Sequence, residues 1–335
     1  MKVLLVGNGI NQLARIVPSW YELFTNAVKV DGFEVKRSLS PTLEYELNAQ
    51  AILDADDTKK ASDIKRDIAG YLTAIQRELQ EDWGRIIHKK LMDIAPEILL
   101  TTNYDYFLEM AADPNFMFGR ASTRETLYSK ERFRDSGNHR IYHIHGEAMV
   151  PSSICLGYGH YVGSIQYIRS ELTKAAANKE NLYHLYAVLK GYEEPVPNRW
   201  YYHFFTDDIY ILGFGLDAAE QDIWWLLYYR AEQMRTHPGL ITNKIIYFET
   251  SAPDDSIPRQ TWENIKDNKD QFKEYLKDYT KYEVHKRTLE QKRMLLEAFH
   301  VNVIDCTRSD DTADGDMYAK RYQRALEQLG DGDVL

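Results

Sequence analysis

The chain has 335 residues, 44% hydrophobic and 13% aromatic, which is enough apolar surface for a sizeable core. A net charge of −10 repels a phosphate backbone, so direct nucleic-acid binding is not expected, and two cysteines, Cys155 and Cys306, cannot build a four-cysteine zinc site. No run approaches the ~18 apolar residues that span a bilayer, and the opening Val3-Leu4-Leu5-Val6 reads as a strand rather than a leader, so the expected location is cytoplasmic with no membrane partner. In chain order, residues 2–6 form a short apolar run that stops at Gly7-Asn8-Gly9, the way a buried parallel strand meets a turn. Runs of the same kind follow at 98–101, 140–144, 209–212, 245–248 and 301–304. Between the first two, Ile64, Ile68, Tyr71, Leu72, Ile75 and Leu79 recur at helix spacing, as do Trp83, Ile86, Ile87, Leu91 and Ile94. Glu220, Ile223, Trp224, Leu227 and Ala231 make a stripe after the fourth run, and Tyr318, Tyr322, Ala325, Leu326 and Leu329 make a last one, a C-terminal helix.

Strands alternating with helices indicate an α/β fold: a Rossmann-like, mainly parallel sheet with helices on both faces and a ligand crevice at the carboxyl ends of the strands. The expected organisation is a single domain over 1–330 with helical insertions near 40–95 and 163–200, a helical excursion near 258–299, and a short tail at 331–335.

The strand ends carry the polar residues. Gly7-Asn8-Gly9 suits a tight turn and close approach to a phosphate, although a strand-to-helix turn without a ligand has the same composition. Thr101-Thr102-Asn103-Tyr104-Asp105 follows the second strand; helix capping explains one such residue but not five in a row. The third strand ends in His143-Ile144-His145-Gly146-Glu147, where alternation places both histidines on one face. Chelation of a metal, completed by Glu147 or His139, is weighed against a general base, and the base is preferred because no further His or Cys has ligand spacing. Gly213-Phe214-Gly215 ends the fourth strand and suits a phosphate or ribose, and Glu249 after the fifth could accept from ribose hydroxyls or simply face solvent. Asp305 and Thr307, past the last strand, are candidates for an adenine pocket. Trp20, Phe24, Tyr158, His160 and Tyr161 are candidate pocket walls.

Taken in order, Gly7-Asn8-Gly9-Ile10, Thr101-Thr102-Asn103-Tyr104-Asp105, His145-Gly146 and Gly213-Phe214-Gly215-Leu216 resemble the motifs of sirtuin-like NAD-binding proteins. Pro18-Ser19-Trp20-Tyr21-Glu22-Leu23 is similar to a helix start in the zinc-less bacterial branch of that family, many of whose members are NAD-consuming antiphage effectors. The resemblance implies NAD as substrate, with Asn103 positioning water and ribose, Asp105 holding the carboxamide and His145 acting on a ribose hydroxyl. It implies cofactor contacts from Gly7, Asn8, Gly9, Ile10, Trp20, Thr102, Gly213, Phe214, Gly215 and Glu249, and no metal. Deacylating sirtuins carry a zinc ribbon and an Asp-Phe-Arg segment, both missing here, and Gly215 stands where they commonly have serine. The expected activity is therefore NAD hydrolysis to nicotinamide and ADP-ribose, the alternatives being a non-catalytic NAD or ADP-ribose sensor and an NAD-dependent deacylase or ADP-ribosyltransferase. Expected partners are further copies of the chain or an activating protein.

Overall fold

Val3, Leu4, Leu5 and Val6 are all fully buried. Successive strand residues face opposite sides of a sheet, so burial of all four means that helices or loops cover both faces of this strand. The computed structural model describes residues 1–13, 20–27, 34–35, 41–78, 84–117, 128, 130–177, 182–216, 220–251, 268–308 and 317–330. Leu79, Trp83, Pro18-Ser19, most of the 258–268 stretch and the 331–335 tail lie outside them, as do the side chains of Trp20, Phe24 and Ile86.

The described residues group into two compact units, Met1–Ile245 and Ile246–Leu335. In the first, β1 (Lys2–Val6) leads into the short helix α1 (Gly9–Leu13), then α2 (Trp20–Ala27), α3 (Pro41–Ala55), α4 (Ala61–Glu78) and α5 (Gly84–Ile94). β2 (Ile98–Thr101), α6 (Phe107–Ala112), β3 (Phe133–Ser136) and β4 (His139–His143) follow. After them come α7 (Tyr158–Thr173), α8 (His184–Leu189), α9 (His203–Thr206), β5 (Asp208–Leu212) and α10 (Gln221–Thr236). The strand order in this unit is β3-β4-β2-β1-β5, with β1 parallel to both β2 and β5, β2 parallel to β4, and β3 antiparallel to β4 at the edge. In the second unit β6 (Ile245–Glu249, from its second residue) and β7 (Val301–Asp305) are neighbouring strands, accompanied by α11 (Lys269–Ala298) and α12 (Met317–Gly330). Among the described residues no helix is long and apolar enough to cross a membrane.

Register decides where the functional segments emerge. Val6 pairs with Thr101 and with Leu212, and Thr101 pairs with His143, so the ends of β1, β2, β4 and β5 are level. The chain leaves β1 towards β2 and later returns to the other side of β1 as β5. That reversal is the switch point at which open α/β sheets bind ligands.

The insertion before β2 roofs this edge. Ile64, Ile68 and Leu72, one turn apart on α4, join Leu23, Tyr45, Ile52, Tyr104 and Tyr106 in one buried apolar cluster. The observed strands agree with the sequence reading to within a residue at each end, but β3 goes unforeseen. Its Phe-Arg-Asp-Ser composition hides it, because Arg134 is buried and its Nε donates to Glu147 Oε2 at 2.7 Å.

Candidate active site

The two glycine turns meet each other. Gly7 N–H donates to Leu212 O at 3.0 Å and Gly9 N–H to Gly213 O at 2.7 Å, and a Cβ on Gly7 would lie 2.5 Å from Gly213 O and from Phe214 Cα. Gly7 is therefore required for packing of β1 against the β5 turn, and the N–H groups of Gly7 and Gly9 are committed to carbonyls. Gly213 adopts φ +64°, Phe214 is buried, Gly215 is exposed, and Ile10 is a fully buried core residue.

In front of this seam lies a cavity of about 90 Å³ lined by Asn8, Leu23, Leu72, Thr102, Asn103, Tyr104, Asp105, His145, Tyr161 and Glu220. By the same measure a water occupies roughly 10–15 Å³, so the space suits several waters or one small ring. Five proposed catalytic or cofactor-binding residues, Asn8, Thr102, Asn103, Asp105 and His145, converge on it, together with the proposed wall Tyr161. The glycines, Ile10 and Phe214 are not among its lining residues.

Asn103 is held by its backbone. Its N–H donates to Thr101 Oγ1 at 3.1 Å, and its carbonyl accepts from His143 Nδ1 at 2.9 Å. His143 Nε2 lies 2.6 Å from Glu109 Oε1. Burial disfavours the charged ring, yet Glu109 raises the His143 pKa above its ordinary value. This arrangement leaves the Asn103 side chain to the cavity, where its Nδ2 is buried with no hydrogen-bond partner among the described residues.

Asp105 is fixed from α1. Asn11 Nδ2 donates to Asp105 Oδ2 at 2.8 Å and to Asn8 Oδ1 at 3.1 Å, while Asn11 Oδ1 accepts from His88 Nε2 at 2.7 Å. Phe107 N–H donates to Asp105 Oδ1 at 3.3 Å. Burial pushes the Asp105 carboxyl up to about 6, against the opposing pull of the Phe107 N–H and His143.

The two histidines of the third strand end do not act together. β4 stops at His143, and Gly146, at φ +105° and with no room for a Cβ beside the Ser153 carbonyl, bends the chain away. The bend sends His145 towards α10, where Nε2 donates to Asp222 at 3.0 Å (Oδ1) and 3.2 Å (Oδ2) and Nδ1 stands 3.5 Å from Glu220 Oε2. Burial works against a charged His145, but Asp222 and Glu220 raise its pKa overall. The Asp222 carboxyl, though buried, is held at about 2 by His145, Lys130 and Ser164. Tyr161 meets the His145 ring edge-on with centroids 5.2 Å apart.

Glu147 lies behind the bend, not in the cavity. It is fully buried and accepts from Tyr106 Oη at 2.8 Å and Arg134 Nε at 2.7 Å. Among the described residues the one group of three able to hold a metal ion is His145, Glu220 and Asp222, whose ligand atoms lie within 4.8 Å of one another. It shares only His145 with the strand-end set weighed from the sequence. Asp222 already accepts from His145, Ser164 and the Ile223 N–H.

Of the proposed walls, Tyr161 lines the cavity and Tyr158 is half exposed. His160 accepts at Nδ1 from the N–H groups of Leu156 and Gly157, and burial lowers its pKa to about 4. Glu249, in the second unit, is the last residue of β6 rather than the first beyond it. Its carboxylate pairs with Lys292 at 3.2 Å and accepts from Ser251 N–H. Asp305 accepts from Thr307 and pairs with Arg293 at 2.8 Å.

Sequence reasoning missed Asn11, His88, Ser164, Lys130 and Asp222, and took Glu220 as part of a packing stripe. An acidic pair opening the helix after a strand-end turn is the one signal that pointed to Glu220 and Asp222.

No curated protein matches the chain. Residues 97–217 match the family model of the SIR2-like domain, a stretch that contains Thr102, Asn103, Asp105, His145 and the Gly213 turn. SIR2-like domains use NAD, and the match, confined to residues 97–217 of the chain, supports a sirtuin-like reading of the segment that carries these strand ends.

Proposed function

We propose that the chain is an NAD glycohydrolase that converts NAD and water into nicotinamide, ADP-ribose and a proton. One observation carries the reading: the buried Asn103 amide nitrogen lines the cavity without an acceptor among the described residues. A buried donor left unmet costs about 1–3 kcal/mol, which an acceptor on a ligand or a held water would relieve. Donor, carboxylate and imidazole around one small cavity fit the nicotinamide end of the dinucleotide.

NAD supplies a glycosidic bond that leaves positive charge on the ribose when its electron pair departs with nicotinamide. Asp105, steadied by Asn11, accepts from the carboxamide N–H. Asn103 orients the water whose oxygen bonds to ribose C1 and whose proton passes to solvent. His145 accepts a hydrogen bond from a ribose hydroxyl, draws its proton closer as charge develops and returns it to the same oxygen once water has added, contributing ~10²–10⁴-fold. Tyr161, Leu23 and Leu72 limit the solvent that reaches the reacting atoms. With two cysteines there is no zinc ribbon of the four-cysteine kind, which favours water over an acylated peptide as acceptor.

The resemblance to the zinc-less bacterial branch extends the reading to a cytoplasmic antiphage-defence effector, assembled from several copies or switched on by a partner protein. The test is product analysis of NAD incubated with the purified protein. Equal amounts of nicotinamide and ADP-ribose without any peptide support hydrolysis. Nicotinamide release that requires an acylated peptide or another acceptor supports transfer, and tight binding without release supports a sensor.

A further inference from the structure

Four buried polar side chains form a line behind the cavity wall. Lys130 Nζ donates to Ser164 Oγ at 2.6 Å, Ser164 Oγ donates to Asp222 Oδ2 at 3.0 Å, and Asp222 accepts from His145 Nε2 at 3.0 Å. They come from the segment before β3, from α7, from the first turn of α10 and from the bend after β4. None is more than 2% exposed. Burying an ammonium and a carboxylate is expensive, and apolar residues of equal volume would serve packing as well or better. The line ends at a ring that faces the cavity, and the Lys130 ammonium also lies 5.5 Å from the centre of the Trp200 ring.

A carboxylate can only accept, so Asp222 fixes the neutral His145 ring as the Nε2–H tautomer and turns Nδ1 towards Glu220 at the cavity. We propose that Lys130, Ser164 and Asp222 are positioning residues for His145, fixing its tautomer and orientation so that Nδ1 meets the substrate. Only the identity of what Nδ1 meets, a ribose hydroxyl, rests on the hydrolase reading. Among the described residues, the charged and titratable groups around the ring are Asp222 and Glu220 at the start of α10, Lys130 before β3 and Tyr161 of α7, with Tyr104 and Asp105 lining the same cavity.

The test is an NMR pH titration of the His145 ring in the full chain, assigned by the signal lost in His145→Gln. The wild type is expected to show the Nε2–H tautomer when neutral and a midpoint above that of an exposed histidine. Asp222→Asn is expected to move the midpoint down and Lys130→Met to move it up, each by about one pH unit. These opposite movements are not expected from a merely structural role. An Nδ1–H tautomer, a midpoint unmoved in folded Asp222→Asn, or movement of both variants in the same direction would overturn the proposal. If a variant fails to fold, the wild-type tautomer decides. Nicotinamide release is followed separately: its absence with the expected titrations removes the hydrolase and leaves the positioning line standing. Release with the wrong tautomer does the reverse.

Discussion

His145 Nε2 lies 3.0 Å from Asp222 Oδ1 across 77 residues of sequence, both side chains buried. The pair separates catalysis from stability. His145→Ala leaves the Asp222 carboxylate buried without its main partner and is expected to cost about 3–5 kcal/mol, while His145→Gln keeps a donor and melts closer to the wild type. Both lose nicotinamide release. Calorimetric melts beside a product assay check this, and equal melting of the two variants would contradict it.

The same pair sets a pH window for stability. The Asp222 pKa is lowered to about 2, so its contribution is present above the ordinary carboxylate value near 3.9 and is lost as pH falls towards 2. The His145 pKa is raised, so its contribution is full below about 6.5 and is lost as pH rises through the higher folded value. Melting curves from pH 3 to pH 9 should show the stability advantage of wild type over His145→Gln peaking between those limits.

Asp105 works in the opposite sense. With its pKa raised to about 6, the buried carboxylate costs stability once ionised, and the cost grows as pH climbs from about 4 and is complete above about 6. Asp105→Asn should therefore gain about 3 kcal/mol relative to wild type at pH 8, and nearly nothing at pH 4. It should also raise KM for NAD. A flat difference across pH would contradict the assignment.

Gly7 and Gly215 make a matched comparison. A Cβ on Gly7 meets the backbone of Gly213 and Phe214, whereas a Cβ on Gly215 has nothing within 4 Å. Gly7→Ala is expected to destabilise by about 1–3 kcal/mol or more, and Gly215→Ala to leave the melting temperature nearly unchanged.

How much of this was legible depends on how local each feature is. The strands were readable because parallel strands covered on both faces appear as unbroken apolar runs, as in Val3–Val6 and Ile98–Leu100. Asn103, Asp105 and His145 were readable because polar residues crowd the ends of such runs. β3 was not, since its Arg134 is balanced inside the fold by Glu147, from a different part of the chain. Asn11 reads as an ordinary helical residue until its bonds to Asp105 and His88 are seen. The glycine turns were correctly placed at the strand ends, but their contact with each other depends on β1 and β5 being neighbours, which no local pattern reveals.

The central claim, that Asn103 directs water at bound NAD, is tested most directly by measuring NAD binding and single-turnover nicotinamide release side by side for wild type and Asn103→Ala. The account predicts binding within a few-fold of wild type and release lowered by about 10²-fold or more. Unchanged release in a folded Asn103→Ala protein, or a wild type that does not bind NAD, would contradict it.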